Sequence, residues 1–365
     1  MNNSRFIAVS ALLLFALAGC DQATPVFHAS ESPTRLSEWN LFELNASTLS
    51  PSADTLVFRP ANQLFSDYAQ KLRTLWIPDG AQATLVNGEI DYPVGTVVSK
   101  TFYYPTNAQG EPLASDEVIE QAVNLGSNKL VETRLLVRRE SGWDAFPYVW
   151  NEEETEAFLR VAGTSQAMTL KNADADLSFV YFVPNENQCA GCHVTDHPDG
   201  DMHPLGAIAK QLTASFTYPD NSSDSQIDEL ISRDWLTSDP EHETPPAWRD
   251  PSETLEDRAL AYLNMNCGHC HNPNGAADTS NLILNGEHGQ LVNMGLCKPP
   301  VAAGGGAGNR LYSLVPGEPD QSILLYRMQS DAPDEMMPEL GRSLVHSEGI
   351  ELISQWIDQL SGSCN

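Results

Sequence analysis

Two five-residue stretches concentrate the chain's chemistry: Cys189-Ala190-Gly191-Cys192-His193 and Cys267-Gly268-His269-Cys270-His271. Both read Cys-x-x-Cys-His, the attachment signature of c-type haem. Two thiols three positions apart on one helical turn reach the two vinyl groups on one edge of the macrocycle, and the next imidazole ligates the iron. The chain holds only seven Cys and nine His, so a chance repeat of the pattern is not expected. Cys189, Cys192, Cys267 and Cys270 are therefore expected to hold two covalently bound haem c groups, with His193 and His271 as proximal ligands. A thioredoxin-like pair needs no following His. A Cys₄ zinc site would have to bridge the 74 residues between Cys192 and Cys267, far beyond ribbon spacing.

The second motif has a candidate sixth ligand. Met336-Met337-Pro338 comes 66 residues after His271. Pro338 has a fixed φ and no N–H, so it stiffens a loop presenting a thioether. A thioether ligand favours ferrous iron and raises the potential. Met337, directly before the proline, is the expected ligand, and Met294 and Met328 fit the core better. No comparable loop follows the first motif. His197, Met202, His203, Met168 and an open position all remain for it.

Export is written at the start of the chain. Arg5 precedes an apolar run of 13 residues, Phe6 to Ala18, a length suited to a cleaved signal and too short to span a bilayer. Leu17-Ala18-Gly19-Cys20 looks like a bacterial lipoprotein cleavage box, which makes Cys20 the lipid-attachment residue. The expected location is the bacterial cell envelope, lipid-anchored, facing the periplasm or the cell surface, with contact to the membrane through the anchor only. Five of the seven Cys are then assigned. The remaining Cys297 and Cys364 are expected to pair as a disulfide in an oxidising compartment. Formal net charge is −29. That excludes nucleic-acid binding, which needs Lys and Arg to displace counterions. It suits steering toward a basic redox partner and equally suits a merely solvated surface.

These groups need elements to position them. Residues 1–19 read as signal peptide and 20–35 as a flexible tether. Residues 36–186 carry short β-rich runs, including Thr101 to Tyr104, Leu130 to Val137 and Phe179 to Val183, punctuated by turns such as Asn87-Gly88. They predict an all-β sandwich or barrel-like domain. Residues 187–250 hold the first haem motif and an amphipathic helix with Ile227, Leu230 and Ile231 on one face. In 251–365, Leu255, Ala259, Tyr262 and Leu263 share a helical face leading into Cys267, with Ser252 or Thr254 as cap. Ser347 can cap a last helix bearing Ile350, Ile353, Trp356, Ile357 and Leu360. A first helix entering Cys-x-x-Cys-His and a last helix crossing it form the framework of class I cytochrome c. The expected fold class is therefore multidomain: an N-terminal all-β domain followed by mostly α cytochrome c segments.

The chain resembles a family of exported bacterial dihaem c-type cytochromes with a C-terminal class I-like domain. The resemblance covers nearly all of the mature chain. It includes Leu64-Phe65-Ser66-Asp67-Tyr68-Ala69-Gln70-Lys71, Tyr92-Pro93-Val94-Gly95-Thr96-Val97, Glu132-Thr133-Arg134-Leu135-Leu136, Tyr148-Val149-Trp150-Asn151, Leu296-Cys297-Lys298 and Arg327-Met328. Members are often encoded beside parallel β-helix repeat proteins, which implies such a protein as a partner. Three functions follow as expectations. The first is electron transfer in the envelope. The second is a peroxidase- or oxidase-like haem enzyme, or a subunit of one, using an open first haem. The third is a haem-bearing binding module for the β-helix partner.

Overall fold

The computed structural model describes residues 23–115, 121–218, 223–285, 291–301 and 303–364. The signal segment and Cys20 lie outside the described residues. The first half of the chain is β: β1 (Phe42–Leu44), β2 (Thr48–Pro51), β3 (Leu56–Val57), β4 (Gln70–Trp76), β5 (Thr84–Val86), β6 (Glu89–Asp91), β7 (Val97–Pro105), β8 (Val123–Asn124), β9 (Asn128–Arg139), β10 (Gly142–Trp150), β11 (Ala157–Leu159), β12 (Thr164–Leu170) and β13 (Leu177–Val183). An antiparallel six-stranded sheet, ordered β11-β10-β9-β7-β4-β3, is its main layer.

Side chains alternate across a strand, and here the alternation separates two cores. Leu72, Trp76, Val97, Leu135, Val137 and Tyr148 on one face pack with Leu49 and Val123 from the β1-β2-β8 sheet and with Leu41 just before β1. Leu75 and Val98 on the other face, with Trp143, pack with Ala207, Leu212, Phe216, Ile227, Leu230 and Leu236. The segment after the first motif thus completes the second face of the sheet. Residues 24–34, read from the sequence as tether, run along the β layers. Thr24 O accepts from Asn40, Pro33 O accepts from Tyr148 Oη at 2.8 Å, and Thr34 O accepts from Leu159 N at 3.0 Å.

The mostly α reading of the cytochrome c segments does not hold. Strand makes up about 27% of the chain and helix about 20%, and residues 187–365 are dominated by turns and irregular backbone. The helices are α1 (Glu186–His193), α2 (Ala209–Leu212), α3 (Gln226–Ser232), α4 (Leu255–Leu263), α5 (Ile323–Gln329) and α6 (Ser347–Gln359). Proline and glycine explain the shortage. Pro198, Gly200, Pro204 and Gly206, then Pro240, Pro245 and Pro246, then Pro273 and Gly275, then the run from Gly304 to Pro319 interrupt every other candidate. Each proline removes a donor and clashes with the preceding turn, and each interior glycine costs about 1 kcal/mol against alanine.

The three helices expected from apolar periodicity do form, the first of them as α3 with Ile227 and Leu230 buried. Thr254 Oγ1 caps α4 by accepting from Asp257 N at 3.1 Å. Ala259, Tyr262 and Leu263 of α4 pack with Leu352, Ile353, Trp356 and Ile357 of α6. Ser347 is the first residue of α6 and not its cap, and its hydroxyl meets Tyr68 Oη at 2.8 Å. At the crossing, a Cβ on Gly349 would run into the Tyr262 phenol, so only glycine permits this approach. Cys297 and Cys364 are joined in a disulfide across 67 residues, tying the C-terminus to the loop before α5.

Candidate functional site

Both motifs open on one cleft. It holds a cavity of about 160 Å³ between the second face of the six-stranded sheet, α1, the end of α4 and the loop before α6. Cys189, Cys192 and His193 line it from one side, and Cys267, His269 and Met337 from the other.

The first motif rides on α1. Asn185 Oδ1 accepts from Gln188 N at 3.0 Å, and Gln188 Oε1 accepts from Asn185 N at 2.9 Å, a reciprocal cap that starts the helix just before the thiols. Cys189 and Cys192 therefore sit one turn apart on a common face. His193 Nδ1 pairs with His203 O at 2.7 Å. A carbonyl only accepts, so Nδ1 carries the proton and the Nε2 lone pair is free for a metal. Burial, with Lys100 nearby, pushes the His193 imidazole down to about 4.

The second motif has a different backbone. Beyond α4 the chain winds into a π-helical turn, Asn264–Gly268, and then a tight turn in which Cys270 N and His271 N both donate to Cys267 O. Cys267 is partly buried, and desolvation raises its thiol to about 12. His271 Nδ1 lies 3.2 Å from Ser280 Oγ, and burial lowers its imidazole to about 4. His269 lines the cleft, whereas Cys270 and His271 do not.

The two motifs touch. Cys270 Sγ donates to Gly191 O at 3.5 Å. The ligand atoms of Cys192, His269 and Cys270 all lie within 4.8 Å of one another. The Cys270 thiol, donating to Cys192, and the adjacent His269 hold the Cys192 thiol well below its usual range, while Cys270 itself is raised. Cys189, Cys192, Cys267 and Cys270 are free thiols.

Met337 is held by its backbone. Its N–H donates to Arg327 O at 2.9 Å. Its carbonyl accepts from Arg342 Nε at 3.1 Å and from the Arg342 fork at 2.9 Å. The same guanidinium reaches Leu344 O, Arg327 O and Ser330 O. From the β layers, Asp67 Oδ1 accepts from Ser343 N at 2.7 Å and Leu344 N at 2.6 Å. Burial raises the Asp67 carboxyl to about 6, against the pull of those N–H groups, Arg342 and Lys71.

Met336 is buried and outside the lining, Met294 is in the C-terminal core, and Met328 belongs to both core and lining. Met168 is on β12, and Met202 bridges to Val194. His197 N donates to Asn274 O, and His203 holds His193 through its backbone. None of Met168, Met202, His197 and His203 lines the cleft. Two imidazoles without a sequence signal of their own do: His269, inside the second motif, and His346, stacked on Phe65 at 4.1 Å with Nδ1 2.9 Å from Tyr262 Oη.

Among the described residues no helix is long and apolar enough to cross a membrane. Compared with protein-family models, curated proteins and solved structures, the chain matches none.

Proposed function

We propose that this chain is a dihaem c-type cytochrome that transfers electrons in the bacterial cell envelope, lipid-anchored through Cys20. The observation that carries the reading is that Cys189, Cys192 and His193 of the first motif, Cys267 of the second and Met337 line one cleft, with Cys270 in contact with the first motif through Gly191. The donor chemistry supports it. Four thiols are free, and His193 presents Nε2 because its other nitrogen is occupied. When bound, each haem supplies one reversible one-electron step at iron. Cys189 with Cys192, and Cys267 with Cys270, would hold the two groups. His193 and His271 would ligate from one side, and Met337 would ligate the second group. The Cys270–Gly191 contact keeps the attachment points side by side, so an electron entering at one motif has a short route to the other. The acidic surface fits a basic redox partner. The family resemblance adds a parallel β-helix protein as a second partner.

Mass spectrometry of the exported protein, with pyridine haem quantification and a redox titration, tests the reading. The expected result is two added macrocycles and two potentials. An unmodified mass removes it. Met337→Ala should abolish the Met-to-iron charge-transfer band and lower one potential, and an unchanged spectrum removes Met337 from the ligand set.

One observation favours a second reading. Cys192, His269 and Cys270 together offer two sulfurs and a nitrogen to a soft metal such as Zn²⁺. Zinc in place of the macrocycles in the same mass measurement would select it.

A further inference from the structure

The floor of the cleft carries an unusual row. Arg73 on β4 lies directly opposite Lys100 on β7, and Lys100 lies directly opposite Arg134 on β9. All three line the cleft. Like charges directly opposed across a sheet repel. Abundance does not explain the row, since the chain has 20 Lys and Arg against 49 Asp and Glu. Solubility does not explain it either, because this face is covered by α1 and the loop before α6.

Internal counter-charge is insufficient. Glu132 is committed to Arg134, at 2.8 and 2.5 Å, and accepts from Tyr181 Oη at 2.7 Å. Arg73 donates to the neutral Gln63 Oε1 at 3.2 Å. Lys100 stands 5.1 Å from the centre of the Phe102 ring, which it shares with the Arg134 guanidinium at 4.5 Å. Among the described residues Glu132 is thus the one carboxylate paired with the row, because Asp67, the next nearest, faces the additional cation Lys71.

We propose that the Arg73–Lys100–Arg134 row is a carboxylate-binding site in the floor of the cleft. A guanidinium fork and an ammonium side by side match the two oxygens of a planar carboxylate or a similar oxyanion. An arriving anion relieves the repulsion that the row otherwise carries. Two sources share this chemistry: a propionate of a covalently held haem, or a free small carboxylate entering the cleft. The inference rests on the haem reading for the first source only.

Lys100→Met separates the outcomes, measured as the melting temperature of the mature protein after dialysis into low-anion buffer and again with added formate. If a carboxylate binds the row, Lys100→Met loses several degrees against the native chain in the condition where the anion is present. If nothing binds, the substitution removes an uncompensated buried cation and the melting temperature rises. A rise in both conditions overturns the proposal. A penalty that ignores formate and vanishes in Cys189→Ala/Cys192→Ala identifies a propionate. A saturable, formate-dependent gain in the native chain that Lys100→Met abolishes identifies a free anion. Arg73→Gln, which removes only the outer cation, repeats the measurement should Lys100→Met fail to fold. Macrocycle mass is read on the same samples. If it is absent, the haem reading fails while the row is still judged by its formate response, and no response overturns it.

Discussion

The two Cys-x-x-Cys-His motifs share a pattern and little else. The first sits on a reciprocally capped helix against a sheet face, with Arg134 and Lys100 close enough to oppose the burial of Cys189. The second sits on a π-turn at the end of α4, beside the apolar α4–α6 crossing and the methionine loop. His193 lines the shared cleft, while His271 does not. The pattern fixes which donors are adjacent in sequence. The preceding element fixes which way they point and what charge they meet. One motif is therefore governed by a cationic sheet and the other by a clamped loop.

Breaking the clamp should test this division most severely. Arg342→Ala removes five partly buried hydrogen bonds to four carbonyls around Met337. It is expected to cost about 4 kcal/mol in chemical denaturation and to perturb spectroscopic signals of the second motif only. Equal perturbation of both motifs would erase the distinction.

Asp67 supplies the next effect, through pH. Its carboxyl, raised by burial from the ordinary 3.8 to about 6, means the folded state holds that proton more tightly than the unfolded chain. Stability from this group is fully present below about pH 4 and declines as pH climbs through 6, by ~3 kcal/mol at about 1.4 kcal/mol per unit. Asp67→Asn keeps an acceptor for Ser343 and Leu344 but has no charge to desolvate. The difference in stability between the two proteins should therefore grow between pH 4 and 6, and parallel curves would refute the assignment.

The smallest effect belongs to the crossing. Gly349→Ala should cost about 2 kcal/mol by forcing Tyr262 aside, with the first motif unaffected, as thermal melts and the reactivity of the Cys189 and Cys192 thiols would register.

The sequence exposed what is local. Cys-x-x-Cys-His, Met337-Pro338 and the apolar faces of α4 and α6 are readable from residue types and short spacings, and the Cys297–Cys364 pair, 67 residues apart, from elimination of the other five Cys. The residues that meet only through strand register were not. Period-two alternation places Arg73, Lys100 and Arg134 on faces, but nothing local aligns them into one row. Asp67 is one acid among many until its loop is brought to Ser343. His269 reads as filler inside a motif. The seam between Cys192 and Cys270 depends on 74 intervening residues. The helical content of the C-terminal half was overestimated because two strong amphipathic signals were extended across a proline- and glycine-rich stretch.

Asp67 and Tyr68 occupy the left-handed backbone region in succession, at φ 52° and 61°. Left-handed geometry costs an ordinary residue roughly 1–2 kcal/mol. What keeps this corner bent lies far along the chain: the amides of Ser343 and Leu344 hold Asp67, and Ser347 and Glu348 hold Tyr68. Residues 36–186 produced by themselves would lose those grips and spring open at that point, an outcome that limited proteolysis would register around residues 66–69. The change of composition near residue 186 is a poor place to cut this molecule.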